Sequence, residues 1–203
     1  MMDRYPAIAL IEYSSIATGI YCGDAMVKRA PITVLKSGTV HQGKFLVLIG
    51  GSVAAVEESY EEGLAMGGDS VVDKVFLPFV HTQVHDAILG TRQPCSNDAV
   101  GVIETKTVAA TIQSTDAGVK GADITIVEIR LADDIGGKAI AVFNGKLEEV
   151  EAAVMIAKEQ VTEQEHWLKD VIIPRIHADM AHQIEQSTSF ANVDLNQVEG
   201  FEV

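Results

Sequence analysis

Apolar and polar positions in this chain follow one pattern that is laid down twice. A short apolar strand comes first (Ile8–Glu12; Val100–Glu104). A polar step such as Ser14-Ser15 then supplies a helix cap, and helices are predicted over 16–29 and 108–121. A strand follows (Ile32–Lys36; Ile124–Arg130), then a Gly-rich loop, then another strand (Lys44–Ile49; Lys138–Phe143). The turn Gly50-Gly51-Ser52 leads into a second helix. Its apolar residues Val53, Val56, Tyr60 and Leu64 share one face, and Leu147, Val150, Val154 and Ala157 repeat that stripe. A last short strand (Val75–Leu77; Val171–Ile173) ends at a proline. The order β-α-β-β-α-β is that of the ferredoxin-like α+β unit, with two helices on one face of a small antiparallel sheet.

The two copies can be counted against each other. From Ala7 to Thr33 the spacing is 92 residues, with Glu12/Glu104, Asp24/Asp116, Lys28/Lys120 and Thr33/Thr125 in register. It becomes 94 at Gly43/Gly137 and Gly51/Gly145, and 96 at Pro78/Pro174 and His81/His177. The added residues fall between predicted elements, where a duplicated fold tolerates them. A repeat of this length is a small domain, not a solenoid unit. The division expected is a first domain over 1–88, a linker over 89–98, a second domain over 99–184 and a tail over 185–203. In that tail, Val193, Leu195 and Val198 are candidates for docking. Two fused copies also imply pseudosymmetry, in which a ring of three chains stands in for a ring of six domains.

Composition narrows the function classes. The net charge of −14, without clustered Lys or Arg, argues against nucleic-acid binding. Hydrophobic residues make up 47% of the chain, yet runs such as Phe45–Ile49 are far too short to span a bilayer, so the excess is assigned to cores and subunit interfaces. Cys22 and Cys95 show neither metal-site nor redox spacing. The start, Met1 to Pro6, lacks a signal peptide's apolar run, and a cytoplasmic location is expected.

Several motifs carry a resemblance. Ile11-Glu12, Gly23-Asp24-Ala25-Met26-Val27-Lys28-Arg29-Ala30, Gly43-Lys44-Phe45 and Gly51-x-Val53-x-Ala55-Val56 resemble a bacterial microcompartment shell domain. Ile103-Glu104-Thr105, Asp116 to Ala122, Gly137-Lys138 and Gly145-x-Leu147 repeat the pattern. Tandem copies are similar to the trimeric class of that family, in particular the propanediol-utilisation type. The resemblance implies a structural, non-enzymatic role in the shell of a cytoplasmic microcompartment. Three chains would form a pseudohexagonal tile with a central pore for small molecules, meeting other shell proteins edge to edge.

On that resemblance, the pore lining comes from Ser37, Gly38, Thr39, Val40, His41 and Gln42 in the first copy and from Asp133, Asp134, Ile135 and Gly136 in the second. The tile edge is assigned to Lys28, Lys120, Arg175 and His177, the last two in a Pro-Arg-x-His motif; the first copy has Phe79 in place of the arginine. Some trimeric relatives carry Cys where this chain has His41, and three thiolates there hold an iron–sulfur cluster. Three His41 imidazoles around the axis are therefore a candidate site for a metal or metal cluster, or a titrating gate. Asp133 and Asp134 would favour cations at the mouth.

Elsewhere the residues point to structure more than to chemistry. His81 and His177 repeat in register after a proline, which favours hydrogen bonding over catalysis. His81-x-x-x-His85 has a metal-ligand spacing without a third ligand nearby. Glu12 and Glu104 are expected to anchor local backbone. No nucleophile–base pair stands out. Two alternatives to the shell tile are a metal or redox carrier built on His41 and a ferredoxin-like trimeric sensor of a small molecule.

Overall fold

The computed structural model describes residues 5–96 and 98–189. The first copy runs β1 (Ala7–Tyr13), α1 (Ile16–Arg29), β2 (Thr33–Val40), β3 (Lys44–Gly51), α2 (Val53–Gly67), β4 (Val71–Leu77) and α3 (Thr82–Ile88). The second runs β5 (Ala99–Thr105), α4 (Val108–Gly121), β6 (Thr125–Leu131), β7 (Ala139–Gly145), α5 (Leu147–Glu159), β8 (Trp167–Ile173) and α6 (Ala178–Gln186). Each copy builds one four-stranded antiparallel sheet, in the orders β2-β3-β1-β4 and β6-β7-β5-β8. That is the ferredoxin-like order expected from the sequence. Even the irregularities repeat: the ladder shifts register between Val34 and Lys36 and again between Ile126 and Glu128.

The helix starts follow local chemistry. Ser15, Ser52 and Thr107 cap α1, α2 and α4 by accepting the N–H groups of Thr18, Ala55 and Ala110. β1 is buried along its whole length. Ala7, Ala9, Ile11 and Tyr13 pack with Cys22, Met26 and Val56 of the copy's own helices. Ile8 and Leu10, on the other face, join a core shared with Val108, Ile112 and Ile126 of the second copy. A strand covered on both faces reads as a continuous apolar run, which is why Ala7–Ile11 has no polar alternation.

Two features differ from the sequence expectation. The helices α3 and α6 follow the Pro-x-x-His segments, where no helix is predicted. His81 and His177 cap them, each Nδ1 accepting the N–H two residues on, at 3.3 Å. Imidazole is an uncommon cap, and α3 and α6 are short, so neither composition nor periodicity announces them. Second, β2 continues through Val40 instead of stopping at Lys36. Ser37, Gly38, Thr39 and Val40 pair with Val47, Leu46, Phe45 and Lys44, so the connecting turn shrinks to His41–Gly43. The docking candidates Val193, Leu195 and Val198 lie outside the described residues.

Candidate functional site

The seam between the two copies gathers most of the residues singled out from the sequence. α3 packs on β6 and α4 on β4, so the end of the first copy lies against the helix and edge strand that open the second. Backbone and side chains interlock along it. The Gln83 amide accepts the Ile126 N–H at 2.8 Å and donates to the Ile124 carbonyl at 3.1 Å, so that it acts as an added rung on β6. The His81 N–H donates to Asp116 Oδ1 at 2.8 Å.

Lys120 also belongs to this seam. Its ammonium donates to the Phe79 carbonyl at 2.5 Å and to Asp116. Lys28, its counterpart in the first copy, is exposed and donates to Asp24, one turn back on α1. Arg175 and His177 are exposed as well. Phe79, in the position of Arg175, is 70% exposed.

Glu12 does more than anchor local backbone. Burial pushes its carboxyl above the usual carboxylate range, and the Lys44 ammonium opposes that rise. Lys44 Nζ lies 2.6 Å from Glu12 Oε2, while Glu12 Oε1 accepts the N–H of Ala109 in the first turn of α4. A carboxylate at a helix N-terminus completes an otherwise unpaired donor there.

The two Gly-rich connections meet beside this pair. The first is the turn His41–Gly43; the second is the irregular stretch between β6 and β7. Gln42, Gly43, Ala132, Asp134, Gly136 and Gly137 all have positive φ. Gly137 is needed twice over, because a Cβ there would also lie 3.1 Å from the His41 carbonyl oxygen. Lys44 donates to the Gly137 carbonyl at 3.4 Å, and Lys36 faces Asp133 at 3.6 Å. His41, Gln42, Asp133, Asp134 and Gly136 are exposed, whereas Ile135 is half-buried.

His41 Nδ1 accepts the Asp134 N–H at 3.3 Å. A neutral imidazole that accepts at Nδ1 carries its proton on Nε2. A metal at Nε2 would require the other tautomer and the loss of that bond. The His81–His85 spacing does not assemble ligands either. His81 is spent as a cap, and His85 is buried, with Nε2 accepting the Tyr5 N–H and Nδ1 beside Asp86. Both cysteines are buried, and burial pushes both thiols up, away from the reactive thiolate. Among the described residues no helix is long and apolar enough to cross a membrane.

A doubled α/β unit with a shared core and paired Gly-rich turns is also what comparison finds. The BMC domain family matches residues 7–80 and again 99–176. The chain belongs to the BMC domain family. It is 39% identical over 178 residues to the bacterial microcompartment shell protein PduT of Citrobacter freundii, covering 88% of this chain and 97% of that one. A carboxysome assembly protein of Synechocystis, CcmO, is 23% identical over 196 residues, which are 90% of this chain and 65% of that protein. Among solved structures, a microcompartment protein from Desulfitobacterium hafniense superposes with a TM-score of 0.77 at 37% identity, over 87% of this chain and 98% of that one. A fused permuted hexameric shell protein of the RMM microcompartment shares the fold, with a TM-score of 0.57 at 20% identity over 76% and 83% of the two chains. The chain is a structural shell protein of the PduT type.

Proposed function

We propose that three copies of this chain close into a pseudohexagonal ring that serves as a tile of a bacterial microcompartment shell in the cytoplasm, with a non-enzymatic role. One observation carries the reading. Equivalent residues of the two copies have opposite exposure, and the contrast maps onto the seam. On α4 Ile112 is 0% and Val119 7% exposed, whereas their counterparts on α1, Ile20 and Val27, are 57% and 48% exposed. On the opposite side of the seam Val84 of α3 is 0% exposed and its counterpart Met180 of α6 is 55% exposed. The seam therefore has a donor face on the first copy and an acceptor face on the second, and each chain leaves one of each unpaired.

Those two uncovered faces are equivalent in position to the pair that already fits inside the chain, and both keep apolar residues there. The arrangement is head to tail, and a pseudo-six-fold rotation closes it after three chains. Burying an exposed aliphatic side chain of this size contributes about 1.5–3 kcal/mol, and several are available. The polar contacts have counterparts too: Glu104 with Lys138 for Glu12 with Lys44, Lys28 for Lys120, and Asp24 for Asp116.

In such a ring the turns His41–Gly43 and the acidic loops alternate around the centre, with Ser37, Gly38, Thr39 and Val40 on the strand leading in and Gln42, Asp133, Asp134, Ile135 and Gly136 beside them. The acidic groups favour cations among the small metabolites that cross. Lys28, Lys120, Arg175 and His177 lie toward the rim, where other shell proteins meet the tile. The test is mass measurement in solution. The wild-type protein is expected at three times the chain mass and Ile20→Asp at the chain mass, with unchanged helicity. A wild-type monomer that forms no sheets sinks the proposal.

A further inference from the structure

A second cluster lies on the same seam, away from the Gly-rich turns. His166 closes the turn before β8 and is 9% exposed. Its Nδ1 lies 3.1 Å from Asp73 Oδ2 on β4 of the first copy, and its Nε2 lies 3.4 Å from Glu163 Oε2. One ligand atom each from Glu163, Glu165 and His166 lies within 4.8 Å of the others. The turn is braced by its backbone: the His166 N–H donates to the Glu163 carbonyl and the Lys106 N–H to the His166 carbonyl, both at 2.8 Å.

A neutral imidazole donates from one nitrogen only. Carboxylate oxygens face both ring nitrogens, so one nitrogen can donate while the other offers its lone pair to a cation shared with the facing carboxylate. Three carboxylates, Asp73, Glu163 and Glu165, surround it. The Lys106 ammonium is 3.9 Å from Glu165 Oε2. Asp73 is held as an acceptor by the Thr107 hydroxyl and the Lys74 N–H, and so is placed to hold a proton on Nδ1. That leaves the Nε2 lone pair aimed at the two glutamates, the outer-shell arrangement that orients a ligating histidine.

We infer that Glu163, Glu165 and His166 bind a divalent transition metal of the zinc class, with Asp73 of the first copy as the positioning carboxylate. One imidazole and two carboxylates suit zinc, with water completing a tetrahedral set. The site is particular to the second copy. Gly67, Asp69 and Ser70 occupy the equivalent positions before β4, and the counterpart of Asp73 is Lys169. Each chain therefore carries one such site, which ties the turn before β8 to the first copy and is independent of ring closure.

The experiment uses the full chain equilibrated with chelator-buffered zinc and then assayed for bound metal. Wild type is expected to hold one zinc per chain more than His166→Ala or the double variant Glu163→Gln/Glu165→Gln. Zinc should also raise the thermal midpoint of wild type and not of the double variant, whose exposed substitutions leave the fold intact. Equal zinc content in wild type and the double variant overturns the site.

Discussion

Glu12 and Lys44 form a buried ion pair at 2.6 Å, and each makes a second bond to the other copy, Glu12 accepting the Ala109 N–H and Lys44 donating to the Gly137 carbonyl. The pair is thus a two-pronged clamp, one prong on the start of α4 and the other on the turn before β7.

Removing one member of that clamp strands the other. Lys44→Met is expected to cost about 3–5 kcal/mol of stability, the range for an orphaned buried charge. The loss should be larger at pH 8 than at pH 5. Burial already raises the Glu12 pKa, so the folded state favours the protonated acid, and its contribution is lost as pH rises through the folded value. Denaturant titrations at the two pH values check this, and a larger loss at pH 5 would contradict it.

The equivalent pair of the second copy, Glu104 and Lys138, is 2.8 Å apart and partly exposed. In the proposed ring the same pattern would give Glu104 the Ala17 N–H of a neighbouring chain. Glu104→Ala should therefore raise the concentration at which the ring dissociates several-fold and leave the circular dichroism of the chain unchanged. Analytical ultracentrifugation across a dilution series reads the first quantity.

Ile112 and Ile20 occupy the same place in their copies and should respond differently. Ile112→Ala is expected to lower chain stability by about 2–5 kcal/mol, as for a filled core position. Ile20→Ala should leave the unfolding midpoint of the isolated chain within about 0.5 kcal/mol of wild type and weaken association instead. Equal effects on both measurements would argue against the seam assignment.

The turns make a conformational prediction. Gln42 sits at φ 69°, which suits glycine, so Gln42→Gly should be neutral or slightly stabilising. Gly137→Val should destabilise, because it adds a β-branched side chain at φ 75° facing the His41 carbonyl. Thermal midpoints of the two variants decide the order.

Asp170 provides a pH test on the surface. The Lys158 ammonium and then the Trp167 indole N–H, each bonded to its carboxylate, hold its pKa below the ordinary range. A depressed acid contributes stability above its unfolded pKa and loses it as pH falls through the folded value. The stability gap between wild type and Asp170→Asn should be present at neutral pH and close in acid.

Much of this was legible in the residues. The Ser14-Ser15 step marks the start of α1 and a period-3.6 stripe marks α2, and the bounds predicted for α1 and α4, 16–29 and 108–121, agree with the structure because those signals are local. The short helices α3 and α6 were not legible, since both depend on packing against β6, α3 from across the seam and α6 within its own copy, and their caps are imidazoles. Ser37 to Val40 were expected in a loop; pairing with β3 draws them into the strand. The repeat also marks Lys28 and Lys120 as equivalent, yet one ammonium is bound to its own helix and the other crosses to Phe79.

The duplication, the α+β order of each copy and the apolar faces of the helices are properties of the linear chain, because periodicity and capping depend on neighbours a few residues apart. Which apolar face is covered is not. Ile20 and Ile112 stand on matching helices at matching positions, and only the docking of the first copy against α4 makes one core and the other surface. That difference arises from contacts between residues far apart in the chain, and it turns two similar domains into a unit with two open faces.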